Sequence, residues 1–398
     1  MKFDSSQTAA ITRATTTPFS LITGGAGTGK TCLIREITRI LESRGERVAL
    51  AAFAGKAAAR IREACEHPAS TIHRLLAYNG KAFLNPTLEG VSLCVDESSM
   101  VDSQLMAEIM RRNPRRLVLV GDQAQLPPVG RGQPFHDLLK TVPHLVSNLT
   151  HCYRNREAIF HNAAIIREGG RPAMCETTDG ERWEMRNTGS QRHTQDLILS
   201  WVESDAWDFD KDAIICARNG ERDEDYATVR GLNVAIAEAV SPRRAGHKFN
   251  VGDRVVNTKN IYELDFYNGN SGRIHAIDQD DGIWITTDFP VIDRAKTQDE
   301  AKPEYTSHVL FGKEIRKHLE LAFAITCHRA QGSQYRNVLV VAFNRDVHCL
   351  LNRSWIYTAA TRARESCCVV GEIGAVYQGI DAVGEKRTVI QQLSEGAE

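Results

Sequence analysis

The sequence contains no apolar run long enough to cross a membrane. A membrane-spanning helix needs about 20 consecutive apolar residues, and no stretch of the 398 residues reaches that length. The first residues, Met1 to Gln7, also lack the charged and then apolar pattern of a secretory signal. We therefore expect a cytoplasmic protein.

Two other features are also missing, a metal-binding cysteine pair and an excess of basic charge. The ten cysteines form no C-x-x-C pair, so we expect no structural zinc site. The 49 Lys and Arg residues nearly balance the 50 Asp and Glu residues, which leaves a net charge of −1. A protein that coats duplex DNA by electrostatics alone would usually be basic. A protein that grips a short single strand in a local groove need not be.

The sequence does have short apolar runs in two series, as in α/β proteins. Each run is rich in β-forming residues and is followed by an amphipathic segment or a turn, which indicates βα units and a parallel sheet. The runs of the first series are residues 19–23, 48–53, 91–95, 117–120 and 145–149. Those of the second series are residues 213–217, 319–326, 337–343, 355–358 and 367–370.

Two segments interrupt these series and predict insertions. Residues 251–318 alternate β-formers with Asn, Gly and Asp turns, which is typical of a small β-barrel. Residues 76–92 carry an Asn79-Gly80 turn signal and predict a smaller β insertion. We therefore predict a first α/β domain over residues 1–150. A second domain over residues 151–250 and 319–398 contains the barrel.

Residues Gly24 to Thr31 read G-x-x-x-x-G-K-T, the pattern of a phosphate-binding loop. The segment follows an apolar strand and opens an amphipathic helix, whose N-terminus favours an anion. Lys30 should reach the β- and γ-phosphates of ATP, and Thr31 should ligate Mg²⁺. The predicted ATP-binding residues of this loop are Gly25, Ala26, Gly27, Thr28, Gly29, Lys30 and Thr31.

Three further residues at strand ends complete a hydrolytic site. Asp96 and Glu97 follow the apolar strand 91–95. Asp96 should hold Mg²⁺ through water, and Glu97 should act as the general base on the attacking water. Gln125 follows the strand 117–120 and can sense the γ-phosphate. The alternatives are a solvated strand end for the acids and a surface loop for Gln125.

The set of motifs resembles superfamily 1 helicases of the RecD/Dda type, from Gln7 to about Arg364. Gln7, the phosphate loop, Asp96 to Ser99 and Gly121 to Pro128 occur in the family's order. The other matching segments are residues 51–58, 71–76, 153–154, 326–333 and 357–364. The resemblance implies two RecA-like P-loop domains with ATP between them, a pin-like insertion at about 76–92 and an SH3-like barrel at 251–318. A compact stand-alone form fits better than a subunit of a nuclease complex.

The resemblance also implies roles for individual residues. Gln7 would read adenine, and Gly332 would contact ATP. Arg154 and Arg362 would serve as arginine fingers. From residue chemistry alone, each of these two arginines is more often a surface or salt-bridge residue. The implied DNA-binding residues are Phe53, Thr71, His73, Phe83, Thr326 and His328. Phe53 is equally compatible with core packing, His73 with a buried structural histidine, and the hairpin around Tyr78 and Phe83 with a self-packed turn.

The leading hypothesis is an ATP- and Mg²⁺-dependent helicase that binds single-stranded DNA and duplex forks. The 5′ to 3′ direction comes from the resemblance alone. The expected form is a monomer without membrane contact, and the candidate protein partners are single-strand-binding proteins and replication or repair proteins. An ATP-gated translocase or binding switch keeps every motif without separating strands. A metabolic P-loop kinase would hydrolyse ATP without responding to DNA.

Overall fold

The computed structural model describes residues 3–85, 87–151, 153, 158–178, 180–204, 206–221, 225–241, 248–264, 266–278, 282–293, 296, 304–347 and 350–382. These residues form two compact units. One takes in the chain up to Arg167, and the other runs from Glu168 to Ala382. Over these ranges, no helix is both long enough and apolar enough to cross a membrane.

The first unit is built on a sheet of six parallel strands. They are β1 Phe19–Gly24, β2 Arg47–Ala52, β3 Ala69–Thr71, β4 Val91–Asp96, β5 Arg116–Gly121 and β6 Val146–Leu149. Their order is β3-β2-β4-β5-β1-β6, and every neighbouring pair is parallel. The helices are α1 Ser5–Thr16, α2 Lys30–Ser43, α3 Gly55–Cys65, α4 Ile72–Leu75, α5 Ser103–Arg111, α6 Pro134–Thr141 and α7 Ala158–Arg167. The carboxyl ends of all six strands therefore meet at one edge, where open α/β sheets bind ligands.

The core of the first unit lies on both faces of this sheet. Strand β5 is buried at every position, which explains its continuous apolar sequence. Helix α2 packs Leu33 and Ile37 into the core of one face, together with Val118 of β5. Helix α5 packs Ile109 into the core of the other face, together with Leu119. Because successive strand residues point to opposite faces, helices on both sides fix the sheet in place.

The described residues of the second unit form eleven strands in two sheets. The strands are β7 Cys175–Thr178, β8 Glu181–Asn187, β9 Ala213–Cys216, β10 Arg254–Asn257, β11 Ser271–Ile277, β12 Ile283–Ile292, β13 Tyr305–Phe311, β14 Leu319–Leu321, β15 Ala324–Thr326, β16 Tyr335–Ala342 and β17 Ala363–Gly371. The helices are α8 Gln191–Val202, α9 Val229–Val240, α10 Cys327–Ala330, α11 Asn344–Val347, α12 Arg353–Ala360 and α13 Ile373–Asp381. The larger sheet has the order β15-β9-β16-β17-β8-β7 and is parallel except for the β7–β8 pair.

The other sheet of the second unit is antiparallel, with the order β13-β12-β11-β10-β14. An ion-pair network connects it to the segment that precedes β9. The buried Arg254 contacts Asp210 at 3.1 Å and Asp288 at 2.6 Å, and Arg273 contacts Asp210 at 3.1 Å. The small sheet is therefore attached to the α/β part of its unit by ion pairs to the exposed Asp210 as well as by chain connections.

The predicted α/β class with parallel sheets is confirmed, and two of the predicted strands need correction. Residues 355–358 lie in helix α12, so the strand predicted there is wrong. The run 319–326 is divided between β14, which belongs to the antiparallel sheet, and β15, which belongs to the parallel one. Residues 322–323 connect the two, so the apolar run passes from one sheet to the other.

Candidate nucleotide and nucleic-acid sites

The glycine-rich loop connects β1 to the N-terminus of α2 in the geometry of an anion site. Gly27 and Gly29 have φ values of 79° and 82°, which only glycine adopts readily. Gly29 precedes α2 and, within the described structure, no side chain caps the helix. Its first N–H groups therefore remain available to an anion. The Lys30 ammonium donates to the carbonyls of Gly24 and Gly25 at 2.7 and 2.9 Å, so the lysine already lies along the loop.

Gln7 contacts this loop and also closes the first turn of α1. Its Nε2 donates to the Thr28 carbonyl at 3.1 Å, while its Oε1 accepts from the Asp4 N–H at 3.2 Å. The Tyr153 hydroxyl donates to Oε1 at 2.9 Å, and the Tyr153 N–H donates to the Gly27 carbonyl at 3.2 Å. Gln7 and Tyr153 therefore lie beside the phosphate loop. Reading of adenine by Gln7 stays a prediction.

Asp96 and Glu97 end strand β4 as a buried acid pair. Their residues are 2% and 4% exposed. The Glu97 N–H donates to Asp96 Oδ1 at 2.9 Å, and Glu97 has a φ of 51°, a left-handed conformation that is uncommon outside glycine. Among the described residues, neither Asp96 Oδ2 nor Glu97 Oε2 has a hydrogen-bond partner. Burial, followed by repulsion from Glu97, raises the pKa of Asp96, and the Arg60 charge acts in the opposite direction.

Two unsatisfied carboxylate oxygens at the carboxyl edge of the sheet fit a divalent cation. Hard oxygen ligands are what Mg²⁺ prefers, and it usually binds to one or two carboxylates, water and phosphate. The Thr31 hydroxyl at the start of α2 is the further oxygen ligand that the phosphate-loop pattern supplies. The donor set of Thr31 and Asp96 therefore suits Mg²⁺ bound together with a nucleotide.

Gln125 lies in the loop after β5, at the same edge of the sheet. It is 4% exposed, and its Nε2 donates to Asp122 Oδ2 at 3.3 Å. Asp122 also accepts from the Ala124 N–H at 3.0 Å. The loop thus holds the Gln125 amide in place by a buried carboxylate, and a side chain held this way can change partners when a charged ligand arrives nearby.

Three predicted DNA-binding residues of the first unit, Phe53, His73 and Phe83, form an aromatic cluster with Tyr78 near the ends of β2 and β3. The His73 ring lies 6.3 Å from Phe53, 5.5 Å from Tyr78 and 5.9 Å from Phe83 between ring centroids. Tyr78 and Phe83 face each other across a short hairpin at 4.6 Å. Burial lowers the pKa of His73, which favours a neutral ring. Phe53 and Phe83 also pack against the core, so the cluster is only partly exposed.

A Thr-x-His-Arg tetrapeptide occurs once in each unit, at equivalent places in the two parallel sheets. Thr71 ends β3 and Thr326 ends β15, both edge strands, and each is followed by a four-residue helix. Thr71 pairs with the last residue of β2, as Thr326 pairs with the last residue of β9. The Thr71 hydroxyl accepts the Arg74 N–H at 3.2 Å. For Thr326, no such capping bond occurs within the described residues. Each unit therefore presents a hydroxyl and an imidazole at one sheet edge.

Two further predicted residues, Gly332 and Arg362, lie in loops of the second unit. Arg362 is 3% exposed, and its guanidinium donates to the carbonyls of Thr358 at 3.0 Å and Ser333 at 3.3 Å. Gly332 has a φ of 74° and lies in the same loop as Ser333. Arg154 lies outside the described residues. The roles of these residues in ATP binding and hydrolysis stay predictions.

Sequence comparison relates the chain to ATP-dependent DNA helicases. The AAA domain family matches residues 2–183, and the UvrD-like helicase C-terminal domain family matches residues 321–370. The chain is 32% identical over 367 residues to the ATP-dependent RecD2 DNA helicase of Deinococcus radiodurans, covering 89% of this chain and 47% of that protein. It is 29% identical over 433 residues to the RecBCD enzyme subunit RecD of Mycolicibacterium smegmatis, covering 97% and 74%. The chain thus spans about half the length of the Deinococcus relative.

Comparison with solved structures finds a similar fold. Pif1 helicase from Bacteroides, solved in complex with ADP-AlF3 and ssDNA, aligns with a TM-score of 0.56 over 100% of this chain and 98% of that chain. At 19% identity, this likeness shows the fold alone. The α/β fold with parallel sheets is consistent with two RecA-like helicase domains. The predicted resemblance to superfamily 1 helicases of the RecD type is confirmed.

Sequence reasoning missed two features of these sites. The repeated Thr-x-His-Arg tetrapeptide was visible because residues 71–74 and 326–329 agree at three of four positions, but its importance depends on the matching strand positions. Arg60 was missed because it looks like an ordinary helix-surface residue. Its Nη2 lies 3.7 Å from Asp96 Oδ2 and 3.5 Å from Glu97 Oε1.

Proposed function

We propose that this protein is an ATP-dependent DNA helicase that moves 5′ to 3′ along single-stranded DNA and unwinds duplex. One observation carries the proposal. A phosphate loop, a buried acid pair and an aromatic, hydroxyl-bearing surface all occur at the carboxyl edge of one parallel sheet. The names of the relatives, an ATP-dependent DNA helicase and a RecBCD subunit, support the same activity.

The proposed hydrolysis uses groups that the fold already holds in place. The loop amides and Lys30 bind the phosphates, while Thr31 and Asp96 hold Mg²⁺, which supplies charge to the phosphate oxygens. Glu97 takes a proton from the attacking water through its unpartnered Oε2. Gln125, held by Asp122, responds to the γ-phosphate. Gln7 and Gly332 complete ATP binding, and Arg362 and Arg154 supply positive charge to the transferred phosphoryl group.

The proposed DNA surface has similar chemistry in both units. Thr71 and His73 in the first unit correspond to Thr326 and His328 in the second. Hydroxyl and imidazole groups bind phosphate without reading sequence, and aromatic rings such as Phe53 stack on any base. Two equivalent contacts, one in each unit, would let the units hold the strand in turn while ATP is bound and hydrolysed.

The finer architecture is proposed on the same basis. We assign residues 1–150 and residues 151–250 with 319–398 to two RecA-like domains. The antiparallel strands β10 to β13 would form the SH3-like barrel insertion at 251–318, with β14 at 319–321 as an added strand beyond the predicted bound. The hairpin within 76–92 would be the pin. The short antiparallel strands and the Arg254 network support an inserted module of this kind.

The proposal predicts ATP turnover that rises strongly with single-stranded DNA, and unwinding of 5′-tailed duplexes only. Stimulation by DNA is expected because the DNA surface and the acid pair share one sheet edge. ATPase and strand-separation assays should use duplexes with matched 5′ and 3′ tails, in DNA and in RNA. A blunt duplex of the same sequence serves as the control.

Each outcome of these assays has a separate meaning. Equal unwinding of 3′-tailed substrates would refute the direction. ATP turnover that ignores DNA would refute the helicase and favour a metabolic kinase. DNA-stimulated turnover without strand separation would favour the alternative, an ATP-gated translocase or binding switch. One observation favours this alternative. The Tyr78 and Phe83 rings of the hairpin pack on each other and on His73, as expected of a self-packed turn.

Shortening the hairpin should separate unwinding from ATP turnover. Asn79 and Gly80 form its turn, and Gly80 has a φ of 92°. Deleting Lys81 and Ala82 leaves a two-residue Asn-Gly turn, which hairpins accept readily. We expect DNA-stimulated ATPase to remain and unwinding of a 5′-tailed duplex to be lost, because the exposed tip no longer reaches the fork. The full-length hairpin with Lys81→Ala is the control, and unchanged unwinding by the shortened protein would rule out the pin.

A further inference from the structure

Arg60 is the cation whose side chain reaches both members of the acid pair. It lies on helix α3, which begins two residues after Phe53. Its Nη2 is 3.7 Å from Asp96 Oδ2 and 3.5 Å from Glu97 Oε1. The Arg60 side chain is 30% exposed, whereas those of Asp96 and Glu97 are 2% and 5% exposed. A half-buried guanidinium thus extends from a surface helix onto two buried carboxylates.

The contact provides charge but little directional bonding. Both distances exceed an ordinary N–H···O hydrogen bond, which is about 2.9 Å. Among the described residues, Arg60 Nε, Asp96 Oδ2 and Glu97 Oε2 are all buried atoms without a hydrogen-bond partner. A guanidinium that served only to stabilise the fold would be expected to form paired, short bonds to a carboxylate. This loose geometry suits an ion pair that has to break.

Some cation is needed at this place when the nucleotide site is empty. Burying two adjacent carboxylates costs free energy unless a positive charge compensates them. The Lys30 ammonium is engaged by the carbonyls of Gly24 and Gly25. Arg60 therefore faces the same carboxylate oxygens that are available to a metal ion, and both cannot neutralise them fully at once.

We propose that Arg60 is an internal counter-ion for Asp96 and Glu97, that metal-bound nucleotide displaces it, and that its release is transmitted to helix α3. The proposal rests on the proposed function, because it assumes that a nucleotide and a divalent ion bind at the phosphate loop. Arg60 acts here as a positioning residue and competes with the metal. Since α3 follows Phe53 directly, the exchange links the nucleotide site to the proposed DNA surface.

The decisive measurement is the affinity of the full protein for Mn²⁺ in the presence of ADP, followed by the EPR signal of free Mn²⁺. Arg60→Gln removes the competing charge and should bind Mn²⁺·ADP about tenfold more tightly, within the range of coupling between sites. Arg60→Lys keeps the charge and should remain near the wild type. Arg62→Gln removes the same charge from a different face of α3 and should have no effect. Unchanged or weaker binding by Arg60→Gln would overturn the proposal.

Hydrogen exchange of the peptide covering 55–65 tests transmission to the helix. In the wild-type protein, Mn²⁺·ADP should change the exchange of α3. In Arg60→Gln, the free protein should already show the exchange of the bound state. If Mn²⁺·ADP left the hydrogen exchange of α3 unchanged in the wild-type protein, the proposed transmission to this helix would be refuted. If the wild-type protein failed to bind Mn²⁺·ADP at all, the proposed nucleotide site itself would be wrong, which is a different result from failure of the Arg60 variants.

Discussion

Glu97→Gln should stop ATP hydrolysis while ATP remains bound. Glutamine has nearly the same shape as glutamate, so the left-handed turn at Glu97 and the bond from its N–H to Asp96 should both persist. What is lost is the basic oxygen, and removal of a general base costs about 10²–10⁴-fold in rate. The rate is measured as DNA-stimulated ATP turnover, and binding as the equilibrium affinity for a fluorescent ATP analogue.

Glu89→Gln is the matched control for that experiment. Glu89 is an exposed acid just before β4, at the opposite end of the strand from Glu97, so the same chemical change there should alter neither rate nor affinity. Lys30→Ala provides the contrasting result, because it should weaken phosphate binding as well as hydrolysis. A Glu97→Gln protein that kept more than a tenth of wild-type turnover would show that another group accepts the proton.

Most of the parallel strands of both units were predictable because they are buried on both faces. Strand β3, which has three residues, was not predicted. A strand covered by helices on each side reads as a short, continuous apolar run, as in β5 and β16. Strands β7 and β8 were not predicted, since β8 alternates buried and exposed residues and β7 lies at the polar edge of its sheet. Edge strands carry little of the apolar signal on which the prediction depended.

The run at 355–358 shows why a short, mostly apolar run does not distinguish a strand from a buried helix. Trp355, Ile356 and Tyr357 are all buried, so α12 is covered on most sides. The useful signal was Asn352, whose side chain accepts the Trp355 N–H at 2.9 Å as a helix N-cap. Capping residues therefore identify this helix better than its apolar content does.

Some residues of the candidate site were predictable from the sequence, and Arg60 was not. The phosphate loop was predictable because its backbone geometry needs glycines at fixed positions, and the acid pair because two acids directly follow an apolar run. Arg60 was not predictable, since its contact with Asp96 and Glu97 depends on how α3 packs beside β2 and β4. Sequence motifs locate the groups that touch a ligand, whereas groups that compete with the ligand emerge only from tertiary structure.

Arg362→Ala should reduce DNA-stimulated ATP turnover by about 10³-fold or more, the scale of arginine fingers in related phosphoryl transfer. Such a loss corresponds to about 4 kcal/mol of transition-state stabilisation. The guanidinium also donates to the carbonyls of Thr358 and Ser333, so the variant loses structural bonds as well. Leaving buried acceptors unsatisfied costs about 1–3 kcal/mol, and thermal unfolding should be measured beside turnover.

The two roles of Arg362 can be separated with Arg362→Lys and Arg364→Ala. Lysine keeps the positive charge but not the planar fork, so a role in catalysis through directed bonds predicts a large loss of turnover even where the protein remains folded. Arg364 is exposed and donates to Gln334 at 3.1 Å, and its removal should cost much less. A folded Arg362→Ala protein with less than a tenfold loss of turnover would remove Arg362 from phosphoryl transfer. Its bonds to Thr358 and Ser333 would then be its whole function, holding the loop that contains Gly332.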